Sequence, residues 1–472
     1  MASTDSSSSS PEGTYGFVVF TDTTARKYSK TAFNDDGMCN QQNIRECAAI
    51  RALSHENVIS ARSITMSQSP RKSPGTPPTV VVIEMAKGDP VAGEQRVDDA
   101  AIGDFFRQVA GGLAHAHARD IANRDIKPEN LVTIDEGKTY KIIDWGIAGF
   151  ACSERLSESS EYVSLWWRSP ELLAGEAHTD HRAADVWALG ITALSLFFDI
   201  ERLQAEDIQE QLHAAKWLAS RAGANRLNEY YDDRISPLLA DLLKQIFQVD
   251  WRSRITAAEI CDHPFVAGYI KLRNGRHIPK KVPRSVVPVE ENHEWRTTLF
   301  GAQKHLTPRM REILFEWLCE VQTKFKLRFA SLFSAYDLVD RALRVLPDFP
   351  RRELQLLGTA CLALATCLYE TYPPELRDFV CVAARAFTSD ELEDMAQKVA
   401  FALDWHLVHD TCYTVWLSAN TKPSLSKLVV AAAVAEKCGL SPKRTVRSAF
   451  GVTADDCRPQ SGRLRKLVSP QR

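Results

Sequence analysis

Two aspartates with suggestive neighbours lie between Asn123 and Gly146, in Asn123-Arg124-Asp125-Ile126-Lys127-Pro128-Glu129-Asn130 and in Asp144-Trp145-Gly146. Upstream come Lys27, at the end of Thr24-Ala25-Arg26-Lys27, and Glu46, at the end of Asn43-Ile44-Arg45-Glu46. Phosphoryl transfer requires a carboxylate facing the nucleophile, a lysine on the phosphates, two metal-holding groups and a lid over the nucleotide. Residues of each type occur here in order. Singly they are weak signals. An aspartate ahead of a glycine is usually a turn residue, and a Lys–Glu pair is usually a solvated surface pair worth little. The ordered set, continued by Ser169-Pro170-Glu171 and Asp185-Val186-Trp187, carries the reading.

The elements that must position these residues can be sketched from the pattern. Phe17 to Lys27 predicts a hairpin, and Asn43 to Leu53 repeats apolar residues at helical spacing. Met66 to Pro78 predicts a surface loop before a short strand, Val80-Val81-Val82-Ile83, and helical patterns then dominate to about Val266. Lys271 to Arg284 is basic and proline-punctuated and reads as a linker. Beyond Glu294 almost everything is helix-like, and no internal repeat is visible.

The bulk numbers narrow the class. The chain has 472 residues, 44% hydrophobic and 25% charged, enough for two to four domains. Its 58 Lys and Arg nearly balance 60 Asp and Glu, a formal net charge of −2 that argues for neither nucleic acid nor an anionic membrane as partner. Its 11 cysteines show no C-x-x-C and no zinc spacing, which predicts reduced thiols. The start, Met-Ala-Ser-Thr-Asp and a serine run, has no leader pattern, and no apolar run approaches the roughly 18 residues of a membrane helix. The expectation is a soluble intracellular protein of the cytoplasm or nucleus.

Asn123 to Asn130 resembles the catalytic loop of protein kinases and Asp144-Trp145-Gly146 their metal motif. The resemblance implies that Asp125 accepts the substrate hydroxyl proton, Lys127 steadies the γ-phosphate, and Asn130 and Asp144 hold Mg²⁺. It implies a Lys27–Glu46 nucleotide clamp and a glycine-rich lid through Gly13, Thr14, Tyr15 and Gly16. ATP would lie among Val18, Ala25 and Val132, past a gatekeeper Ile83 and a hinge running from Glu84 to Ala86, with Asp89 beyond. Within the kinases, Glu12-Gly13-Thr14-Tyr15-Gly16, Ile44-Arg45-Glu46 and Val163-Ser164-Leu165-Trp166-Trp167-Arg168-Ser169-Pro170-Glu171 resemble the cyclin-dependent subfamily. By that resemblance Val163 and Arg168 favour proline after the target Ser or Thr, Glu171 pairs with Arg254, and Thr14 and Tyr15 are inhibitory phosphosites.

Four departures stand out. Pro11 replaces the first lid glycine behind a serine run that cannot supply an apolar strand, which predicts a loose lid and weak ATP binding. Asn123 replaces a histidine, in a supporting role, and Trp145 replaces a phenylalanine. The family gathers three arginines around an activation-loop phosphosite, aligned here with Ser159. Arg45 and Arg124 match, but the third position is Gly149. With fewer charge-assisted bonds available, activity is expected to depend little on Ser159 phosphorylation.

Met310-Arg311-Glu312-Ile313-Leu314-Phe315-Glu316-Trp317-Leu318 resembles the start of a cyclin box. Leu338-Val339-Asp340-Arg341, Glu353-Leu354-Gln355-Leu356-Leu357-Gly358 and Tyr372-Pro373-Pro374-Glu375 continue it. The resemblance implies a docking groove of Met310, Leu314, Trp317, Glu320, Leu354 and Gln355 for Arg-x-Leu substrate motifs. The lysine and glutamate with which cyclins grip the kinase align with Cys367 and Ala396. A tether with an effective concentration of about millimolar offsets roughly 4 kcal/mol against a micromolar partner, enough to replace one or two such contacts.

The expected fold is therefore an α+β bilobal protein kinase followed by an all-α cyclin-like helical domain. Its parts are a disordered N-terminus (1–12), the kinase domain (13–266), a basic linker (267–293), the cyclin box (294–407) and a truncated second lobe with tail (408–472). The expected function is proline-directed Ser/Thr phosphorylation with ATP and Mg²⁺ as cofactors. Partners would be protein substrates with Ser/Thr-Pro sites, through an intramolecular kinase–cyclin contact. The alternatives are a non-catalytic decoy that captures cell-cycle partners and a kinase that needs an external cyclin. A fusion of this kind resembles those of large DNA viruses.

Overall fold

The computed structural model describes residues 16–29, 41–68, 79–91, 98–150, 164–273 (without 177–178, 199, 201–202, 225, 228, 230 and 232–233), 303–409 and 411. The N-terminus at 1–12, most of the linker at 267–293 and nearly all of 408–472 lie outside them. The chain forms two compact units, Met1–Ala32 with Arg45–Arg284, and Phe33–Ile44 with Ser285–Arg472.

The described chain opens with strands β1 (Gly16–Phe20) and β2 (Thr24–Ser29), helix α1 (Gln41–Ala52), and strands β3 (Ala61–Gln68) and β4 (Thr79–Ala86). The strands form an antiparallel sheet in the order β1-β2-β4-β3. The hairpin expected from Phe17 to Lys27 is present. Its turn is closed by the Thr24 N–H donating to Thr21 Oγ1 at 3.0 Å, and Phe17 stacks on Tyr28 opposite it at 5.0 Å. Val80 to Ile83 are all buried, so both faces of β4 are covered, which is why this strand reads as an unbroken β-branched run. The loop expected from Met66 starts later, because β3 continues through Met66 to Gln68 in register with β4. As an edge strand with exposed polar residues, β3 hides its strand character in the sequence.

Next come β5 (Asp89–Pro90), α2 (Asp99–His117), β6 (Ile121–Ala122), β7 (Leu131–Ile134), β8 (Thr139–Ile142) and β9 (Gly149–Phe150). They are followed by α3 (Pro170–Leu173), α4 (His181–Phe197), α5 (Ile208–Gly223), α6 (Pro237–Ile246), α7 (Ala257–Asp262) and α8 (Pro264–Arg273). In the sequence, helical patterns dominate this stretch. Strands β6 to β9 are too short to display a period. Asp98 caps α2 by accepting from the Ala100 N–H, and Phe105, Phe106, Val109 and Leu113 bury its inner face. The Glu171–Arg254 pair forms as expected, a fork at 2.8 and 2.9 Å with neither side chain exposed. Arg254 also donates to the carbonyls of Ala183 and Gln248, and its guanidinium lies 5.2 Å from the Trp187 ring. Helix α8 runs to Arg273, past the boundary placed at 266.

The second unit contains α9 (Pro308–Phe325), α10 (Phe329–Val345), α11 (Leu354–Tyr369), α12 (Leu376–Val382) and α13 (Ser389–Ala402). Their starts follow capping chemistry. Thr307 accepts from the Met310 N–H ahead of Pro308, and Thr388 with Glu391 forms a capping box. Every residue of α11 from Leu357 to Tyr369 is buried, as a helix apolar on all sides must be. Helices α9, α10 and α13 pack against it. A Cβ on Gly358 would lie 2.6 Å from Leu314 Cδ1, so the glycine sets how closely α9 approaches α11. Arg311 on α9 grips Asp340 on α10 at 2.6 and 2.5 Å and sits 4.2 Å above Phe315. Among the described residues no helix is long and apolar enough to cross a membrane.

Candidate active site

The turn between β6 and the 3₁₀ turn Pro128–Asn130 carries Asp125, and its backbone is not relaxed. Arg124 has φ 74°, a left-handed conformation that costs energy for any residue with a Cβ and persists where the surroundings impose it. Asp185 imposes it. Buried on α4, its carboxylate accepts the backbone N–H groups of Asn123 and Arg124, both at 2.8 Å, and faces His117 Nε2 at 2.9 Å. Asp125 is then gripped from three sides. Lys127 Nζ lies 2.8 Å from Oδ2, Asn130 Nδ2 donates to the same oxygen at 2.7 Å, and Ser164 Oγ donates to Oδ1 at 3.1 Å. Lys127 also donates to Ser164 Oγ at 2.9 Å.

Asp144, also left-handed at φ 53°, follows β8, and its Oδ1 accepts the Gly146 N–H at 3.1 Å. Asn123 joins the two aspartates. Its amide donates to the Asp144 carbonyl at 3.0 Å, and its oxygen accepts the Asp125 N–H at 3.1 Å. Trp145 is fully buried behind this loop. Lys27 Nζ reaches Glu46 Oε1 at 2.8 Å and Asp144 Oδ2 at 3.6 Å. Burial works against the Lys27 charge, but Glu46 and Asp144 outweigh it and hold the ammonium above its ordinary range. Burial, aided by Asp144, pushes the Glu46 carboxyl up against the pull of Lys27.

The residues assigned to ATP by resemblance can be placed by register. Val18 and Ile83 lie opposite Lys27, and Ala25 is two residues before it, so all four side chains share one face of the sheet. Glu84 falls on the other face, ion-paired with Arg26 at 2.9 Å. Ala86 ends β4, Asp89 starts β5, and Val132 lies opposite Pro90 in the strand pairing. Gly16 is the first residue of β1, while Gly13, Thr14, Tyr15, Ser159 and Val163 lie outside the described residues. Arg45 is buried on α1, Gly149 is in β9, and Arg168 precedes α3.

The donor set fits Mg²⁺. The Asn130 side-chain amide donates to Asp125 twice, at its carbonyl and its Oδ2, so the oxygen is the atom of that side chain left to accept. The Asp144 side chain is 41% exposed and supplies a second oxygen. A hard cation held by one or two protein oxygens and completed by phosphates and water is the usual Mg²⁺ arrangement.

Ser164 and Asp185 stand inside sequence motifs whose local spacing assigns them no role. Their partners stand far along the chain, so only the fold reveals them. In the second unit the expected groove is mixed. Leu314 and Leu354 are core residues, Met310, Trp317 and Gln355 are half-buried, and Glu320 is exposed. On α9 the large apolar side chain that faces out most among the described residues is Ile313, 52% exposed and missing from the expected set. Cys367 and Ala396 are both buried.

Residues 12–266 match the family model described as protein kinase domain, and residues 282–408 match cyclin, N-terminal domain. The G2/mitotic-specific cyclin S13-6 of Glycine max is 38% identical over 121 residues, 26% of this chain and 26% of that protein. The G2/mitotic-specific cyclin S13-7 of the same plant is 37% identical over 121 residues, and the chain spans 47% of it. A probable cyclin-dependent kinase 8 of Dictyostelium discoideum is 28% identical over 302 residues, 54% of this chain and 78% of that protein. The chain thus spans about a quarter and about half of the two cyclins it matches.

Proposed function

The chain belongs to the protein kinase family, and from that premise we propose that it transfers the γ-phosphate of ATP to Ser or Thr hydroxyls followed by proline, activated by the cyclin-like domain of its own polypeptide. The observation that carries the reading is the ring of contacts around Asp125, made by Lys127, Asn130 and Ser164, with Asp144 backed by Lys27 and Glu46. In this reading Asp125 Oδ1 or Oδ2 takes the proton of the attacking hydroxyl. Ser164 holds the carboxylate's direction, and Lys127 meets the transferring phosphoryl group. Lys27, kept charged by Glu46, orients the other phosphates. Asn130 and Asp144 hold Mg²⁺, which when bound neutralises phosphate charge. By resemblance Val163 and Arg168 shape the site for the proline, and Arg45 and Arg124 are two of the arginines that would serve a phosphate at Ser159.

Phosphorylation of a Ser-Pro peptide by the full chain with Mg·ATP tests this, with a Ser-Ala peptide and Asp125→Asn as controls. Activity on the Ser-Pro peptide alone, abolished in the variant, supports the proposal, and its absence turns the reading to a partner-capturing decoy. Specific activity independent of protein concentration supports activation within one chain. A second reading, a kinase served by an external cyclin, is favoured by Cys367 and Ala396, which put no lysine or glutamate at the gripping positions and are both buried. Under it, an added mitotic cyclin raises the activity.

A further inference from the structure

Ser164, whose hydroxyl donates to Asp125, is followed by one 3₁₀ turn, Leu165–Trp167, that leads to Arg168. The turn is thinly held from within. The Trp167 N–H donates to the Ser164 carbonyl at 3.1 Å and the Arg168 N–H to that of Leu165 at 3.2 Å, and 3₁₀ bonds have poor geometry. Further support comes from the segment that opens α5. Trp166 Nε1 donates to the Ala205 carbonyl at 2.9 Å, and the Ala205 N–H donates to Gln211 Oε1 at 3.1 Å. Gln211 Nε2 donates in turn to the carbonyls of Leu203 at 2.9 Å and of Trp166 at 3.4 Å. Gln211 is 3% exposed, so its buried amide is satisfied by backbone groups that lie outside α-helix and strand. Trp166 is 38% exposed, yet its indole N–H and its carbonyl are both held.

We propose that Gln211 is a positioning residue for the protein substrate, one that fixes the turn after Ser164 where a peptide meets Asp125; this rests on the proposed kinase function. A peptide hydroxyl that reaches Asp125 passes beside Ser164, since Ser164 Oγ lies 3.1 Å from Asp125 Oδ1 and 2.9 Å from Lys127 Nζ. The backbone that leaves Ser164 is therefore next to the peptide. Gln211 holds that backbone directly at the Trp166 carbonyl and again through Ala205 and the Trp166 indole. Trp167 then closes the turn back onto Ser164. The side-chain hydrogen bonds of Gln211 go to Leu203, Ala205 and Trp166, and to none of Lys27, Glu46, Asn130 and Asp144, which the same reading assigns to nucleotide and metal. The brace thus acts on one substrate of two. A glutamine that merely completed a loop would show no such preference.

Three variants of the full chain test it: Gln211→Glu, Trp166→Phe and the two together. For each, kcat and KM are measured for a Ser-Pro peptide and for ATP, with the thermal unfolding midpoint and the amide exchange of residues 164–168. Gln211→Glu keeps an oxygen for the Ala205 N–H but turns a carboxylate on the carbonyls of Leu203 and Trp166. It is expected to lower kcat/KM for the peptide by about tenfold or more, with KM for ATP moved less than about twofold. Trp166→Phe keeps a ring, loses the bond to Ala205 and gives a smaller loss of the same kind. In the double variant the two losses combine to less than their product, because both act through Ala205 and Trp166. Peptide constants that stay unchanged, Michaelis constants for peptide and ATP that rise together, or losses that multiply overturn the proposal. If Gln211→Glu does not fold, the peptide-against-ATP split in Trp166→Phe decides. If the wild-type chain transfers no phosphate, the kinase reading fails and the substrate role with it. Amide exchange then still decides the brace, faster at Trp167 and Arg168 in Gln211→Glu if it exists and unchanged if it does not.

Discussion

Arg254 in the first unit and Arg311 in the second each lie in a carboxylate fork and above an aromatic ring, Trp187 and Phe315 respectively. The chemistry is the same, but the depth differs. Glu171 and Arg254 are both 0% exposed, whereas Asp340 keeps 18% of its side chain in water. Losing one partner of the first pair strands a charge with no solvent to turn to, while Asp340 can rehydrate. The first unit also holds charges of a second kind, those of Asp125, Asp144 and Lys27, which stay partly exposed and which the proposed function assigns to the substrate and nucleotide. Depth therefore separates charges that brace from charges that react.

The largest effect expected is at a reacting charge. Asp125→Asn lowers kcat by about 10²–10⁴-fold with the unfolding midpoint unchanged, and a fall in stability of the same variant would blur the division. Arg254→Ala does the opposite, costing about 3–5 kcal/mol of stability in denaturant titration. Arg311→Ala costs less, about 1–3 kcal/mol. Equal costs for the two arginines would show that depth is not what distinguishes the braces.

Smaller effects come from titration. Burial raises the Glu46 carboxyl above its ordinary 4.5, so the Lys27–Glu46 pair breaks at a higher pH than an exposed pair would. The acid limb of ATP binding is expected above pH 4.5, and Glu46→Gln removes it at the cost of weaker binding. The smallest effect is at His115, which accepts from Arg119 Nη1 and lies 5.1 Å from His55. Burial, with Arg119 and His55, lowers its pKa from 6.5 to about 4. Between these values the unfolded chain binds a proton that the folded chain refuses, so stability falls as pH drops from 6.5 toward 4. His115→Gln flattens that slope in thermal melts.

The part of the site whose geometry is legible from spacing alone is the stretch contiguous in the chain, while Lys27, Glu46 and Asp144 are legible by their order and by resemblance. Asp125, Lys127 and Asn130 lie within one turn and contact one another, so their motif is also their geometry. The Glu171–Arg254 pair was legible only through resemblance, since 83 positions separate its partners. Ser164 on Asp125 and Asp185 beneath the catalytic loop are tertiary facts, fixed by how the chain closes around that loop. In the second unit the fold class was plain from the lack of strand signal. The division of α9 into core and surface was not, because Leu314 is drawn inward by the space Gly358 leaves.

The central strand β4 has a consequence beyond the site. Its run Thr79-Val80-Val81-Val82-Ile83 is uncharged, β-branched and free of proline and glycine, the composition that stacks into cross-β assemblies when laid open. In the folded chain both of its edges are taken, by β2 on one side and β3 on the other. Lys27 and Arg26, on β2, are therefore chaperones of a sort for their neighbour strand. Alterations to this strand in pursuit of catalysis also weaken the cover over the segment most prone to aggregate.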